Sequence, residues 1–233
     1  MPGPLFTHAN RPGTNSCFTG ACKRCSFAGK SGIMKISLKV ILAHVLLLIG
    51  TRAFSQKPVA NILGTPATIS FAGKMFSLSW SSHLTPDYYK EEFMVKGETA
   101  EKFRSMLLLD AVKSSGNLDE VVEGKLAGLS ELKKTNPDIF YQEVAAPAGE
   151  RMIDFTMTAS SADGKTLIIA ERNVYRYRVF TDKSGKKGIM LCGIAQREYG
   201  KAIPGFLAAL KTSRELLVTQ MRGFVIPVFT SLQ

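Results

Sequence analysis

The apolar positions of this chain change their period along its length. Phe76, Leu78 and Trp80 alternate with Ser77 and Ser79, the mark of a strand with one buried face. Thr68–Phe71 and Lys74–Trp80 are therefore predicted as two strands joined by Ala72-Gly73. The period then lengthens. Thr85-Pro86 reads as an N-cap followed by proline at the first helical position, leading into a helix over Asp87–Met94. Beyond Gly97, Thr99 can cap a second helix through Val112, with Phe103, Met106, Leu107 and Asp110 at helical spacing. Asn117 with Glu120 three residues on resembles a capping box. It opens a third helix that buries Leu118, Val121, Val122, Leu126 and Leu129 and stops near Asn136-Pro137.

After residue 137 the period falls to two. Ile139–Ala145, Arg151–Ala159, Lys165–Phe180 and Lys186–Arg197 are predicted as strands. Pro147-Ala148-Gly149, Asp163-Gly164 and Ser184-Gly185 supply the turn chemistry between them. Short loops between successive strands imply an antiparallel meander. Lys165–Phe180 is long for a strand, so a bulge or break is expected near Glu171–Asn173. A final helix, about Pro204–Arg222, sets Phe206, Leu210, Leu217 and Met221 on one face, and the apolar tail Phe224–Phe229 packs back on the domain. The expected class is α+β: a twisted antiparallel sheet, a hairpin plus a four-stranded meander, covered by helices.

Upstream of this domain the chain has a different character. From Met34, Lys35 and Lys39 precede the ten-residue apolar run Val40–Ile49, broken only by His44. Ala53-Phe54-Ser55 then puts small residues at the −3 and −1 positions before Gln56. This is the three-part layout of a secretory signal peptide. As a helix the run would span about 15 Å, half of a hydrocarbon core of about 30 Å, which favours cleavage between Ser55 and Gln56 over a permanent anchor. The expected location is periplasmic or secreted, with no stable membrane insertion after cleavage. Residues 1–33 are rich in Pro, Gly, Ser, Thr and Asn. They read as an upstream extension of a protein that starts at Met34, or as a disordered leader.

Composition sharpens the division. The 233 residues are 45% hydrophobic and 21% charged, which excludes disordered, collagenous and low-complexity classes. The formal charge of +11 would suggest nucleic acid or an anionic membrane. Yet residues 1–56 hold seven of the 30 basic side chains and none of the 19 acidic ones. The body is left near neutral, and nucleic acid is not an expected partner. Cys17, Cys22 and Cys25 also fall in the leader, where only His8 could join them as a zinc ligand. The domain from Gln56 onward, 178 residues, has the single cysteine Cys192 in GIMLCGIA. It has no internal disulfide, and a buried, inert thiol is the expected role.

The strand with YRYRVF, the next strand GIMLCGIAQREY and the closing helix FLAALKTSRELL resemble the PsbP-like family of small exported α/β/α domains, over residues 139–222. The resemblance implies a module that binds partners or assists assembly rather than one that catalyses. It transfers no functional residue.

Candidate chemistry is sparse. Arg176 and Arg178 share one face of a strand, with Tyr175 and Tyr177 on the other. The arginines form either an anion-binding patch or ion pairs with acids such as Asp154. Trp80, His83, Tyr88 and Tyr89 surround a Ser-Ser-His-Leu-Thr-Pro loop, where they either stack on a sugar or peptide or pack the core. These six residues are the candidate ligand-binding set. A hydrolase reading needs two converging carboxylates, and Asp154, Glu171 and Glu198 on predicted strands are the candidates. No metal-ligand spacing, phosphate-binding glycine loop or nucleophile elbow is present, so no cofactor or metal is expected. Lys183–Lys187 reads as a solvated hairpin tip. The sequence thus points to an exported binding or assembly module for an envelope protein or small ligand, with a small carboxylate-dependent hydrolase as the alternative.

Overall fold

The computed structural model describes residues 59–229, except Ser115, Ser184 and the side chain of Leu84. The upstream extension, its three cysteines, the signal segment 34–55 and the cleavage point lie outside the described residues.

Two predicted helices are strands. Asp87–Met94 and Thr99–Val112 give way to β3 (Tyr88–Val95) and β4 (Ser105–Lys113), which follow β1 (Thr68–Phe71) and β2 (Lys74–Thr85). Thr85-Pro86 does not cap a helix. Pro86-Asp87 is the two-residue turn of a hairpin in which Thr85 pairs with Tyr88. Proline presets the φ of a turn position as readily as that of a first helical turn. In β4 the run Met106–Leu109 meets helical spacing by coincidence, because a strand buried on both faces shows no period at all.

Helix α1 (Leu118–Thr135) follows, capped by the Asn117 side chain on the Asp119 amide at 3.0 Å. Then come β5 (Phe140–Val144), β6 (Glu150–Ser160), β7 (Leu167–Thr181), β8 (Lys187–Tyr199), a single 3-10 turn and α2 (Ile203–Gly223). The meander over residues 139–199 therefore forms as expected. The irregularity expected near Glu171–Asn173 lies nearer the start of β7, where Ala159 pairs with Ile169 and Ser160 with Leu167, leaving Ile168 as the extra residue.

The eight strands form one open antiparallel sheet in the order β1-β2-β3-β4-β8-β7-β6-β5. The class is accordingly mainly β. The expected α+β domain, a hairpin and a meander covered by helices, is corrected by β3 and β4, which close the gap between the two halves through β4–β8 pairing. Strand alternation sorts the side chains into two cores. Leu107, Leu109, Met190, Cys192 and Val174 pack with Leu217, Val218 and Met221 of α2 on one face. Leu108, Leu191, Ile153, Phe155, Tyr175 and Tyr177 pack with Val122 and Leu129 of α1 on the other. The tail returns as predicted: Phe224, Ile226 and Phe229 join the α2-face core. Ahead of β1, the fully buried Glu91 accepts from the amides of Ile62 and Leu63 and from the Thr65 hydroxyl, pinning that segment to β3.

Gly188 permits one close crossing. A Cβ there would lie 2.4 Å from the Val112 carbonyl oxygen and 2.5 Å from the Phe180 ring. Gly188→Ala is expected to cost about 1–3 kcal/mol in urea unfolding through overpacking against backbone that cannot retreat. An unchanged midpoint would show that the β4–β8 pairing yields there.

Candidate functional site

Both helices pack principally on the β5–β8 half: α1 against β5, β6 and β7, and α2 against β7 and β8. The α1 face of β2–β4 is therefore built mostly from strand side chains. By alternation β3 presents Tyr88, Lys90, Glu92 and Met94 there, and β4 presents Met106, Leu108, Asp110 and Val112. Lys90 stands opposite Asp110 in register, and Trp80 of β2 opposite Glu92. Three buried charges in an otherwise apolar surface are the unusual feature of this sheet, since Lys, Glu and Asp are rarely buried unless paired.

One of the three, Asp110, is only partly satisfied. The Tyr88 hydroxyl donates to Asp110 Oδ2 at 3.0 Å. Asp110 Oδ1 is buried and accepts no hydrogen bond. Lys90 pairs with Glu92 at 3.5 Å. From α1, the Lys125 ammonium lies over the Phe155 ring at 4.6 Å and the Tyr175 ring at 5.4 Å. Burial pushes the Asp110 carboxyl up to about 6, against the opposing field of Lys90 and the Tyr88 hydrogen bond. Burial also lowers Lys125 to about 8, with Glu171 opposing. The Tyr88 phenol is held neutral by burial and by the adjacent carboxylate. A carboxyl and an amine thus titrate on either side of neutrality on one face, an arrangement common at binding and proton-transfer sites.

The candidate residues read from the sequence separate across the sheet. Trp80 and Tyr88 lie on the α1 face. His83 and Tyr89 lie on the other, their rings stacked at 4.1 Å and 17°. The Tyr89 hydroxyl accepts from Lys113 at 3.0 Å and donates to the Pro86 carbonyl. No loop gathers the four, because the expected loop is the paired end of the β2–β3 hairpin, where the register shifts between His83 and Thr85. Arg176 and Arg178 do share the α2 face. Arg176 is taken up by Glu150 and by three carbonyls at the end of α2. Arg178 donates to Met190 Sδ at 2.8 Å and is half-buried.

The three candidate hydrolase acids do not converge. Asp154 lies on the α2 face between Arg172 and Arg214. Glu171 lies on the α1 face, held by Arg197 and Asn173. Glu198 pairs with Arg104 at the end of β8. Cys192 is buried, and burial pushes its thiol up to about 12. Among the described residues no group of His, Cys, Asp and Glu converges to hold a metal ion, and no helix is long and apolar enough to cross a membrane.

Asp110, Lys90, Glu92 and Lys125 were not legible as a site. For the strand residues a signal was present: Lys90-Glu91-Glu92 interrupts YYKEEFMV and Asp110 interrupts SMLLLDAVK. On an amphipathic helix those charges would face water. On a strand buried on both faces they cannot.

The structure thus defines a mainly-β domain, one open antiparallel sheet with a helix on each face and a charged, aromatic patch on one of them. A protein-family model matches residues 63–226, and the chain belongs to that family. The matched span runs from Leu63 ahead of β1 to Ile226 in the tail, so it takes in all eight strands and both helices as one unit. No curated protein and no solved structure matches the chain.

Proposed function

We propose that this protein is an exported, non-enzymatic binding module that holds a small polar ligand on the α1 face of β2–β4. The observation that carries the reading is Asp110: a buried carboxyl with one oxygen unsatisfied, bonded to Tyr88 and facing Lys90 across the β3–β4 pair. An unpaired buried polar group costs about 1–3 kcal/mol, a cost that sheets avoid unless the group serves something else. Tyr88 and Trp80 give the same face aromatic surface suited to stacking. The signal layout supplies the export. The likeness of residues 139–222 to PsbP-like binding and assembly domains leans the same way. The acids of the hydrolase reading are each engaged by arginine, so no observation favours it.

The test separates function from stability. The folded carboxyl titrates at about 6, above its ordinary 3.8, so it costs nothing below pH 4 and progressively more as pH rises through 6. Asp110→Asn is expected to match the wild type at pH 4 and to exceed it by about 3 kcal/mol at pH 8 in urea unfolding. The same variant and Tyr88→Phe should lose any small molecule that native mass spectrometry finds on the isolated wild-type chain. They should also lose the thermal shift given by a panel of sugars, amino acids and hydroxy acids. An Asp110→Asn protein less stable than wild type at pH 8 would make Asp110 a structural group and end this reading. Export is tested separately, by intact mass of the periplasmic fraction after expression from Met1 and from Met34. A product that retains residues 34–55 would overturn it.

A further inference from the structure

A second feature lies at one end of the sheet, apart from Asp110. The β2–β3 turn, the β4–α1 connection and the β7–β8 hairpin meet there around a cavity of about 790 Å³. Its lining carries Lys113, Lys186 and Lys187 against a single carboxylate, Asp87. None of these lysines is in an ion pair among the described residues. The Lys113 ammonium rests on the Tyr89 hydroxyl and ring instead. The nearby Asp182 carboxylate accepts from the Lys186 backbone amide. Elsewhere this domain neutralises its clustered cations: Arg151, Arg172, Arg176, Arg197 and Arg214 are each matched to acids.

Two exposed lysines, Lys186 and Lys187, backed by the charge of Lys113 on Tyr89 and opposed only by the lining carboxylate of Asp87, leave an excess of positive charge that focuses potential into the concavity. The cavity also has an apolar wall in Leu118 and in Val179, a large side chain left half exposed. Its volume lies in the range of small-molecule sites. Charge, volume and wall together describe a ligand with an anionic head and an apolar body.

We infer that this cavity binds a small organic anion, its phosphate or carboxylate held by Lys186 and Lys187 with Lys113 adding charge from behind, and its apolar part laid against Val179 and Leu118. The lysines sequence reading assigned to a solvated hairpin tip become the cavity's cationic rim. The same chemistry is offered by a soluble phosphorylated compound and by an anionic lipid headgroup. The inference is independent of the patch around Asp110, which none of its variants touches.

The test is a nuclear magnetic resonance titration of the labelled, isolated chain with phenyl phosphate and with inorganic phosphate. The Gly116, Gly185 and Gly188 amides should shift saturably with phenyl phosphate. Binding should be about tenfold tighter than for inorganic phosphate, reflecting the apolar wall, and should weaken as salt is added. Lys186→Glu/Lys187→Glu, both at exposed positions, should lower the affinity at least about tenfold while amides elsewhere stay in place; Lys186→Arg/Lys187→Arg should retain it. Co-sedimentation with phosphatidylglycerol but not phosphatidylcholine vesicles, lost in the Glu double variant, would identify the source as a lipid headgroup. Phenyl phosphate binding without sedimentation would identify a soluble one. Absence of both, or shifts that persist in the Glu double variant, would overturn the inference.

Discussion

Asp154→Asn is expected to lower the unfolding free energy by about 3–5 kcal/mol, a large fraction of the about 5–15 kcal/mol that holds a domain together. Asp154 is fully buried on β6. Its two oxygens accept from Arg172 Nε and Nη2 at 3.0 and 3.2 Å, and Oδ2 also accepts from Arg214 Nη1 at 2.8 Å. Arg172 is as buried as the acid and donates as well to the Arg214 carbonyl. One carboxylate therefore ties β6, β7 and α2 together. Asparagine keeps the shape and removes the charge, leaving the Arg172 guanidinium uncompensated away from water. Arg214 is less committed, since it is partly exposed and rests on the Phe140 ring at 4.2 Å. Asp154→Leu/Arg172→Met is expected to recover most of the loss, because the penalty lies in the orphaned charge rather than in the lost attraction. Urea midpoints for the two variants check both statements. A loss below about 1 kcal/mol for Asp154→Asn would mean that Arg172 finds another partner.

The same network shows what the sequence could and could not disclose. Strands from residue 139 onward were legible because their turns carry Gly at fixed places. Gly149, Gly164 and Gly185 all sit at positive φ, a conformation glycine reaches without strain. Helices α1 and α2 were legible through one-sided apolar stripes and, for α1, the Asn117 cap. The residues of β3 and β4 were misread for a physical reason. Periodicity reports a boundary between core and water, and strands in the middle of a sheet with two covered faces have no such boundary. Long-range pairing made them strands: β4 lies between β3 and β8, and β8 begins more than seventy residues after β4 ends. No local signal encodes that distance.

The candidate sites follow the same logic. Arg176 and Arg178 were correctly placed on one face and Tyr175 and Tyr177 on the other, because alternation survives whatever the tertiary context. Their partners were not legible, since Glu150 and the end of α2 reach Arg176 only through the fold. The aromatic group was legible only in part. Trp80 and Tyr88 do share a face, yet His83 and Tyr89 fall behind the sheet, because a hairpin alternates where a loop would have gathered them. In the sequence Asp110 falls at helical spacing with Phe103, Met106 and Leu107. Its chemistry became visible only once β4 proved to be buried from both sides.

Arg176 is the second place where a single change should be costly. Its Nη1 donates to the carbonyls of Met221, Arg222 and Phe224 at 3.0, 3.1 and 2.8 Å, while Nε and Nη2 fork onto the Glu150 carboxylate. The last carbonyls of a helix have no partner within it and form the negative end of its dipole. A guanidinium from the sheet below supplies both the donors and the charge. The α2 C-terminus is thereby fixed over β7, and the tail is aimed so that Phe224 meets Phe71 edge-on at 5.1 Å. Arg176→Met is expected to cost about 3–5 kcal/mol, since Glu150 and three carbonyls lose their partner together. Arg176→Lys should cost less, about 1–2 kcal/mol, because an ammonium keeps the charge but cannot fork onto both groups. The distinguishing measurement is hydrogen exchange. In Arg176→Lys the amides of Phe224, Val225 and Ile226 should exchange well before those of β7 and β8, as the tail opens without the sheet. If all exchange together, the clamp is part of the global core, and the tail has no opening of its own.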